Sequence, residues 1–241
     1  MPNFYDVHSH YMPKVDDGSS SSEMTTKMLQ MAYDEGIRSI ILTPHYREPY
    51  FTAPRDRIEF GYERVKQLAQ KVSPKLHIYL GNEIHYHRDL LKWLQNGTVH
   101  TMADTSYALI EFSPSDEYEL IHSCLRTLIA AHYRPIVAHV ERCGALLGNP
   151  ERIEELVDLG AYIQVNAGTF TGECGFNAKR FVHKLVKLDL IDFVGSDAHN
   201  IKNRPPRMQK CAEYLKKVHG EDYMRRILHD NPKRMVRDLE L

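Results

Sequence analysis

Residues 107–139 read YALIEFSPSDEYELIHSCLRTLIAAHYRPIVAH, and their pattern decides the fold. Residues 107–112 form a short apolar run, and residues 135–139 form a second. Between them, residues 117–132 carry apolar side chains at helical spacing. A strand, a helix and a strand within about 30 residues make the crossover unit of a parallel sheet. Each strand also ends in a residue type that binds metal ions, Glu111 on the first and His139 on the second.

The same alternation repeats outward in both directions. Strand-like runs fall at 4–8, 39–43, 76–80, 162–166 and 191–195. Ser20 and Glu23 have the spacing of a capping box. Met24, Met28, Met31 and Ala32 then share a helical face, and Gly36 is a natural stop. That methionine stripe reads as core packing rather than as a metal site. Further helices are expected at 57–72, 90–94 and 178–188, and after Asn149-Pro150. The tail from 205 to 239 reads as helical, with Asn231-Pro232 as another helix start. Seven or so such units in one chain predict a (β/α) barrel, incomplete or distorted, with an open doubly wound sheet as the alternative. Nothing resembling a linker or a repeat divides the chain, so residues 1–241 are read as one α/β domain.

Composition narrows the function. The 241 residues carry 31 basic and 32 acidic side chains, a formal net charge of −1. With no basic excess, nucleic-acid binding by bulk charge is excluded. Fourteen histidines stand against four cysteines. Cys124, Cys143, Cys174 and Cys211 form no C-x-x-C pair, which excludes a zinc ribbon. No signal peptide and no apolar run of about 18 residues is visible, so a reduced, cytoplasmic protein without membrane insertion is expected.

The polar residues concentrate where the strands end. The first run leads to His8-Ser9-His10, the second to Thr43-Pro44-His45, and the third to Gly81-Asn82-Glu83. The later ones give Glu111, then His139 with Glu141 and Arg142, then Asp197 and His199. In a parallel barrel these ends converge on one rim. Residues i and i+2 of a strand point the same way, so His8 and His10 can hold one ion together. Asp17, in the first loop, can bend over the same rim. A single histidine at a strand end is usually no more than a satisfied polar residue. One set of donors per strand end is a different matter and points to a metal site. The other nine histidines lack such a placement, and His85 and His87 are read as surface or outer-layer residues. Imidazole and carboxylate without thiolate suit Mn²⁺, Fe²⁺ or Zn²⁺. More than eight donors exceed the needs of one ion, so a cluster of two or three with a bridging carboxylate is expected. Such a cluster suits clamping a phosphate and activating a water for in-line attack.

The ordered set HxH, DDG, TPH, GxEI, IEF, AHxER and SDAHN resembles the polymerase and histidinol phosphatase (PHP) superfamily. It is most similar to the metal-dependent protein-tyrosine phosphatases of bacterial capsule and exopolysaccharide gene clusters. HxH alone is a weak motif, but the ordered set spans nearly the whole chain. The resemblance implies a distorted (β/α)7 barrel holding three divalent ions, manganese first, with iron or zinc as alternatives. His8, His10, Glu83 and Asp197 would hold the first ion. Glu83 would bridge to a second ion, held with Glu111 and His139. Asp17, His45 and His199 would hold the third. Arg142 and Arg204 match phosphate-binding arginines, a role for which Arg207 competes. His199 is also a candidate proton donor to the leaving group.

The implied reaction is hydrolysis of phosphotyrosine in a protein. The implied substrate is the C-terminal tail of a bacterial tyrosine kinase, in the regulation of capsule or exopolysaccharide synthesis. Tyrosine, with a pKa of about 10, leaves without strong acid assistance. Tyr11, Tyr46, Tyr50 and Phe51 lie near motif loops and are candidates to stack on the substrate ring, although packing explains each of them equally well. The rivals are a small-molecule phosphatase acting on histidinol phosphate, a metal-dependent deoxyribonuclease, and a non-catalytic kinase-binding module. A cysteine phosphatase is disfavoured. Cys174 and Arg180 have C-x5-R spacing, but Glu173 precedes the cysteine and no glycine-rich cradle follows. The sequence sets no oligomeric state.

Overall fold

The computed structural model describes residues 3–241. Its strands are β1 (Phe4–Asp6), β2 (Ile37–Leu42), β3 (His45–Tyr46), β4 (His77–Leu80), β5 (Glu83–His85), β6 (Tyr107–Glu111), β7 (Arg134–Val137), β8 (Tyr162–Asn166) and β9 (Phe193–Gly195). The helices that matter below are α1 (Ser22–Asp34), α2 (Arg55–Val72), α3 (Leu90–Gln95), α4 (Tyr118–Ala130), α5 (Pro150–Leu159), α6 (Phe176–Lys187) and α7 (Gln209–His219).

Every ladder between these strands is parallel, in the orders β1-β2-β4 and β3-β5-β6-β7-β8-β9. The two sheets are one sheet broken across two strands at the same level. β2 continues into β3 through Thr43-Pro44, and β4 continues into β5 through Gly81-Asn82. Pro44 has no N–H to give the ladder. The break is held by Gly81 N–H donating to Leu42 O at 2.8 Å and by the Asn82 side chain donating to Pro44 O at 2.9 Å. Gly81 has no room for a side chain, because a Cβ there would lie 2.8 Å from Met102 Sδ.

Counted through these breaks, seven parallel strands follow one another in sequence order. The seam between β9 and β1 closes at the C-terminal rim. Ser9 bridges Ala198, Asp197 N–H donates to His8 O at 2.8 Å, and His10 N–H donates to Ala198 O at 2.9 Å. Asp6 adds to the seam by accepting from Ser196 N–H and Oγ at 2.8 and 2.6 Å. Gly195 permits the close approach, since a Cβ on it would meet His8 Cβ at 2.4 Å. The architecture is therefore the distorted (β/α)7 barrel. An open doubly wound sheet would reverse its strand order, and this sheet does not.

Side-chain alternation builds two cores. Val7, Ile41, Tyr107, Leu109, Ile136 and Phe193 fill the barrel interior, plugged by Met102 and Met235. The alternate residues, such as Ile40, Ala108, Ile110 and Val137, pack outward under the helices. Strands buried on both faces explain why their sequences are nearly continuous apolar runs.

One local expectation shifts. α1 is capped by Ser21, whose side chain accepts from Met24 N–H at 3.2 Å, while Ser20 Oγ faces Met24 Sδ. The capping interaction is thus one residue later than the Ser20–Glu23 spacing implied. Asn231-Pro232 opens the helical element Asn231–Met235 with the proline in its first turn, as expected, although the helical run is continuous from Glu221. The π-turn Arg226–Asp230 just before it accommodates the missing proline N–H.

At the foot of the barrel, Asp192 Oδ2 accepts from Ile163 N–H at 2.8 Å, and burial pushes its carboxyl up to about 6. The unfolded chain ionises this group near 3.8. Between those values the folded chain holds a proton that the unfolded chain has released, so stability falls as pH rises through the window. An Asp192→Asn variant should therefore differ little from wild type near pH 4. By pH 7 it should be the more stable by on the order of 2 kcal/mol in urea denaturation. A difference that does not change with pH would contradict this.

Candidate metal centre

The C-terminal rim gathers a histidine or carboxylate from nearly every strand. His8 and His10 follow β1, His45 opens β3 and Glu83 opens β5. Glu111 ends β6, His139 follows β7, and Asp197 and His199 follow β9. His139 and Asp197 reach inward through left-handed backbone, with φ of +30° and +53°. Asp17 enters from the loop after β1. A Cβ on Gly18 would collide with His10 O at 2.3 Å, so only glycine lets that loop lie so close.

Glu83 is the centre of the arrangement. Its Oε2 lies 3.1 Å from His8 Nε2, 3.3 Å from His10 Nε2 and 2.9 Å from His45 Nδ1. Its Oε1 accepts from His139 Nε2 at 2.8 Å. Asp17 Oδ1 faces both His45 and His199 Nε2, at 3.5 and 3.4 Å. Glu111 lies 3.7 Å from His139 and 3.9 Å from His45. Four overlapping donor groups result: His10, Asp17, His45 and His199; His8, His10 and Asp197; His8, Glu83 and His139; and His45, Glu83 and Glu111. Together they contain all nine residues singled out in the sequence. His10 also belongs to the group with Asp17, and Glu83 belongs to two groups, the place of a bridging carboxylate.

The hydrogen bonds around the rim favour cations inside it. His8 Nδ1 is tied to Gln164 Oε1 at 3.2 Å, His10 Nδ1 to Asp16 Oδ2 at 2.7 Å, and His199 Nδ1 to the Asp197 carbonyl at 2.9 Å. Each of these acceptors takes the ring proton outward, which leaves the Nε2 lone pair aimed into the rim. Four buried atoms, His45 Nδ1, Glu83 Oε2, Glu111 Oε2 and His199 Nε2, have no hydrogen-bond partner among the described residues. Converging lone pairs without donors fit divalent cations, and a set of nitrogen and oxygen donors fits Mn²⁺, Fe²⁺ or Zn²⁺.

Without cations, the histidines and acids compensate one another. Burial pushes Glu83 upward, but the surrounding imidazoles outweigh it and hold the carboxyl well below the usual range. Burial likewise opposes ionisation of Asp197, and His8, His10 and Arg142 overcome it. Burial lowers His10 while the Asp16 carboxylate more than reverses that, so the ring is held well above its usual value. His199 moves the other way, lowered by burial and by the neighbouring His10.

Two arginines converge beside this cluster. Arg142 Nη1 and Arg204 Nη2 lie 2.8 and 2.7 Å from the same atom, Asp197 Oδ2. Both guanidinium side chains remain more than a third exposed. The loop carrying Arg204 is pinned by Asn200, whose side-chain oxygen accepts from Lys202, Asn203 and Arg204 N–H. Arg207 instead pairs with Glu173 at 3.2 Å, away from Asp197. Of the four aromatic candidates, Tyr11 and Tyr46 are buried packing residues. Phe51 stacks on His45, with ring centroids 5.5 Å apart, and Tyr50 beside it is 73% exposed. His85 bonds Ser113 at 2.9 Å, and His87 stacks on Trp93.

An outer layer of residues holds these ligands from behind, and none of them is itself one of the rim donors. Asp16 orients His10 and also accepts from His45 N–H at 3.0 Å. Gln164 accepts from His139 N–H at 2.8 Å as well as holding His8. Asn166 donates to Asp197 Oδ2 at 2.9 Å, and Glu141 accepts from Asn166 N–H and Thr169 Oγ1. The available signal was a glutamine in the middle of a buried strand, residues 162–166 (YIQVN), in the one unit that offers no donor of its own at the rim.

A closed parallel barrel with a rim of histidines, carboxylates and paired arginines is the architecture of a metal-dependent hydrolase. The family model for capsular polysaccharide synthesis, CpsB/CapC, matches residues 4–237, and the chain belongs to that family. The tyrosine-protein phosphatase CpsB of Streptococcus pneumoniae is 35% identical over 238 residues, which cover 97% of this chain and 98% of that protein. The tyrosine-protein phosphatase YwqE of Bacillus subtilis is 31% identical, covering 90% of this chain and 85% of its own. A crystal structure from work on YwqE and CpsB, described as unique metal-dependent tyrosine phosphatases, superposes with a TM-score of 0.91. It is 31% identical and covers 98% of this chain and 96% of its own.

Loss of an outer-layer partner should be felt in metal affinity. A Gln164→Ala variant removes the acceptor of His8 Nδ1 and of His139 N–H. Its affinity for Mn²⁺ should fall by about 10- to 100-fold in a calorimetric titration. An unchanged affinity would mean that the strand-end geometry alone orients the ligands.

Proposed function

We propose that the chain, acting as one phosphatase domain over residues 1–241, hydrolyses phosphotyrosine in proteins at this rim. The observation that carries the reading is the convergence of nine donors with two half-exposed arginines on one open face. We assign His8, His10, Glu83 and Asp197 to a first ion and Glu83, Glu111 and His139 to a second. Asp17, His45 and His199 are assigned to a third, with manganese as the first choice and iron or zinc as alternatives. When bound, such ions polarise a phosphoryl group and lower the pKa of water.

The chain's own groups do the rest. Arg142 and Arg204 present guanidinium forks to the phosphate oxygens, and charge developing in the transition state strengthens those bonds. Asp197 keeps the two forks parked at the rim until a phosphate competes for them. Burial lowers the His199 pKa and its Nδ1–H is hydrogen-bonded to the Asp197 carbonyl, so we assign it as a ligand. A phenolate leaving group needs little acid assistance. Phe51, lying flat beside His45, offers an apolar wall for the tyrosine ring, which a phosphoserine side chain cannot use. The physiological substrate is proposed to be the C-terminal tail of a bacterial tyrosine kinase governing capsule or exopolysaccharide synthesis, in the cytoplasm. Among the described residues no helix is long and apolar enough to cross a membrane.

A hydrolysis panel tests the reading, with phosphotyrosine peptide, phosphoserine peptide and histidinol phosphate assayed with Mn²⁺ and after chelation. Phosphotyrosine should be preferred, and chelation should abolish turnover. Preference for histidinol phosphate would overturn the substrate, and activity surviving complete metal removal would overturn the mechanism. Phe51→Ala should raise KM for phosphotyrosine peptide about tenfold, as loss of one aromatic contact implies, and should narrow its margin over phosphoserine. An unchanged margin would remove Phe51 from substrate recognition.

A further inference from the structure

The helix that starts at the rim carries charge that the described residues leave largely unbalanced. α6 has the sequence FNAKRFVHKLVK, with three lysines, one arginine and no acidic residue, in a chain whose net charge is −1. Ala178, Phe181, Val182, Leu185 and Val186 face the core, so the cations are left on the outer face. Lys184 lies 3.9 Å from Glu151, a contact between two largely exposed side chains. Lys179, Arg180 and Lys187 have no acidic partner within 4 Å among the described residues. The lysine stems and Phe176 line a shallow groove of about 340 Å³. Phe176 at one end is 76% exposed and Leu188 just past the other is 49% exposed. The His183 imidazole within this face is lowered by burial and further by Lys179 and Lys187, as a field of uncompensated positive charge requires.

The N-terminal end of α6 lies beside the candidate active site. Cys174, two residues before Phe176, lies close to the Arg142 guanidinium. Two residues span at most about 7 Å, so α6 begins beside the arginine assigned to phosphate. α6 also packs against the turn Val140–Arg142. From Phe176 the helix leads away from the rim for roughly 16 Å. A ligand that fills the groove and also reaches the rim is an extended chain attached to the phosphoryl group.

We propose that α6 is a docking surface for an acidic segment of the same polypeptide that carries the phosphotyrosine. The segment is centred about three to eight residues from that tyrosine, the distance an extended chain needs to run from the rim along the helix. This deepens the reading of the chain as a protein-tyrosine phosphatase and rests on it. Acidic side chains meet Arg180, Lys184 and Lys187, and an apolar residue of the segment packs on Phe176. The surface selects among phosphotyrosine proteins by charge and leaves the chemistry at the rim untouched. A surface of this kind speeds encounter and fades with ionic strength. An anionic membrane is the other ligand such a patch attracts. The start of α6 against the turn that carries Arg142 favours the peptide.

The test uses fluorescent peptides in which a non-hydrolysable phosphonate replaces phosphotyrosine. One set has four acidic residues three to eight positions away on either side, and the other has glutamine there. Binding to the manganese-loaded protein is read by anisotropy at low and high salt. Wild type should bind the acidic peptide about tenfold more tightly at low salt, and the gap should close at high salt. The triple variant Arg180→Glu/Lys184→Glu/Lys187→Glu should lose that preference, and Phe176→Ser should weaken it. Hydrolysis of p-nitrophenyl phosphate, which touches only the rim, should be unchanged in both. Equal binding of both peptides by wild type, or a preference that survives in the triple variant, would overturn the proposal. So would unchanged peptide preference together with α6-dependent sedimentation on phosphatidylglycerol vesicles. Failure of the phosphatase reading itself would show separately, as absence of p-nitrophenyl phosphate turnover in the wild-type protein.

Discussion

Glu83 is a carboxylate buried at the mouth of a barrel with four imidazoles around it. Burial alone would drive such a group to its neutral form. The rim prevents that by supplying positive charge from every side, whether protonated imidazole or bound cation. Most features of the fold serve this requirement. The strands must end at one level, so β2 and β4 are both interrupted there. The seam must close, so Gly195 and Gly18 stand where a side chain would push against His8 and His10. The ring protons of His8, His10 and His199 must point outward, so Gln164, Asp16 and the Asp197 carbonyl accept them.

Asp197 joins the histidine-rich rim to the two arginines beside it. One of its oxygens faces His8, His10 and His199, while the other holds Arg142, Arg204 and Asn166. The same carboxylate therefore orients imidazoles on one side and restrains, on the other, the two guanidiniums proposed to bind phosphate. Because a buried charge is costly to leave unpaired, the arginines stay at the rim in the absence of substrate. The Val140–Arg142 turn then couples the site to α6, whose outer face carries the unbalanced cations.

The seven-unit barrel was legible because strand and helix periods differ and because donors recur at strand ends. The run 162–166 matched β8 to the residue, since nothing interrupts it. The runs 39–43 and 76–80 each hid a second short strand, because Pro44 and Gly81 break the hydrogen-bond ladder without ending the strand direction. The nine rim residues were visible as donor types at expected positions. Asp16 was not, because two adjacent aspartates before Gly18 look alike, and only the loop path decides which reaches the rim and which holds His10 from behind. Arg204 and Arg207 were equally hard to separate by spacing. Glu173, 34 residues away, takes Arg207 out of reach. The outer layer of Gln164, Asn166 and Glu141 depends on contacts between strands, which no single-strand pattern encodes.

The most direct measurement of the centre is anomalous diffraction at the manganese edge from crystals grown with Mn²⁺. The proposed assignment predicts three peaks inside the rim, with Glu83 bridging two of them and Asp17, His45 and His199 around the third. A rim without peaks, or a single ion that leaves Glu83 uncoordinated, would contradict the account.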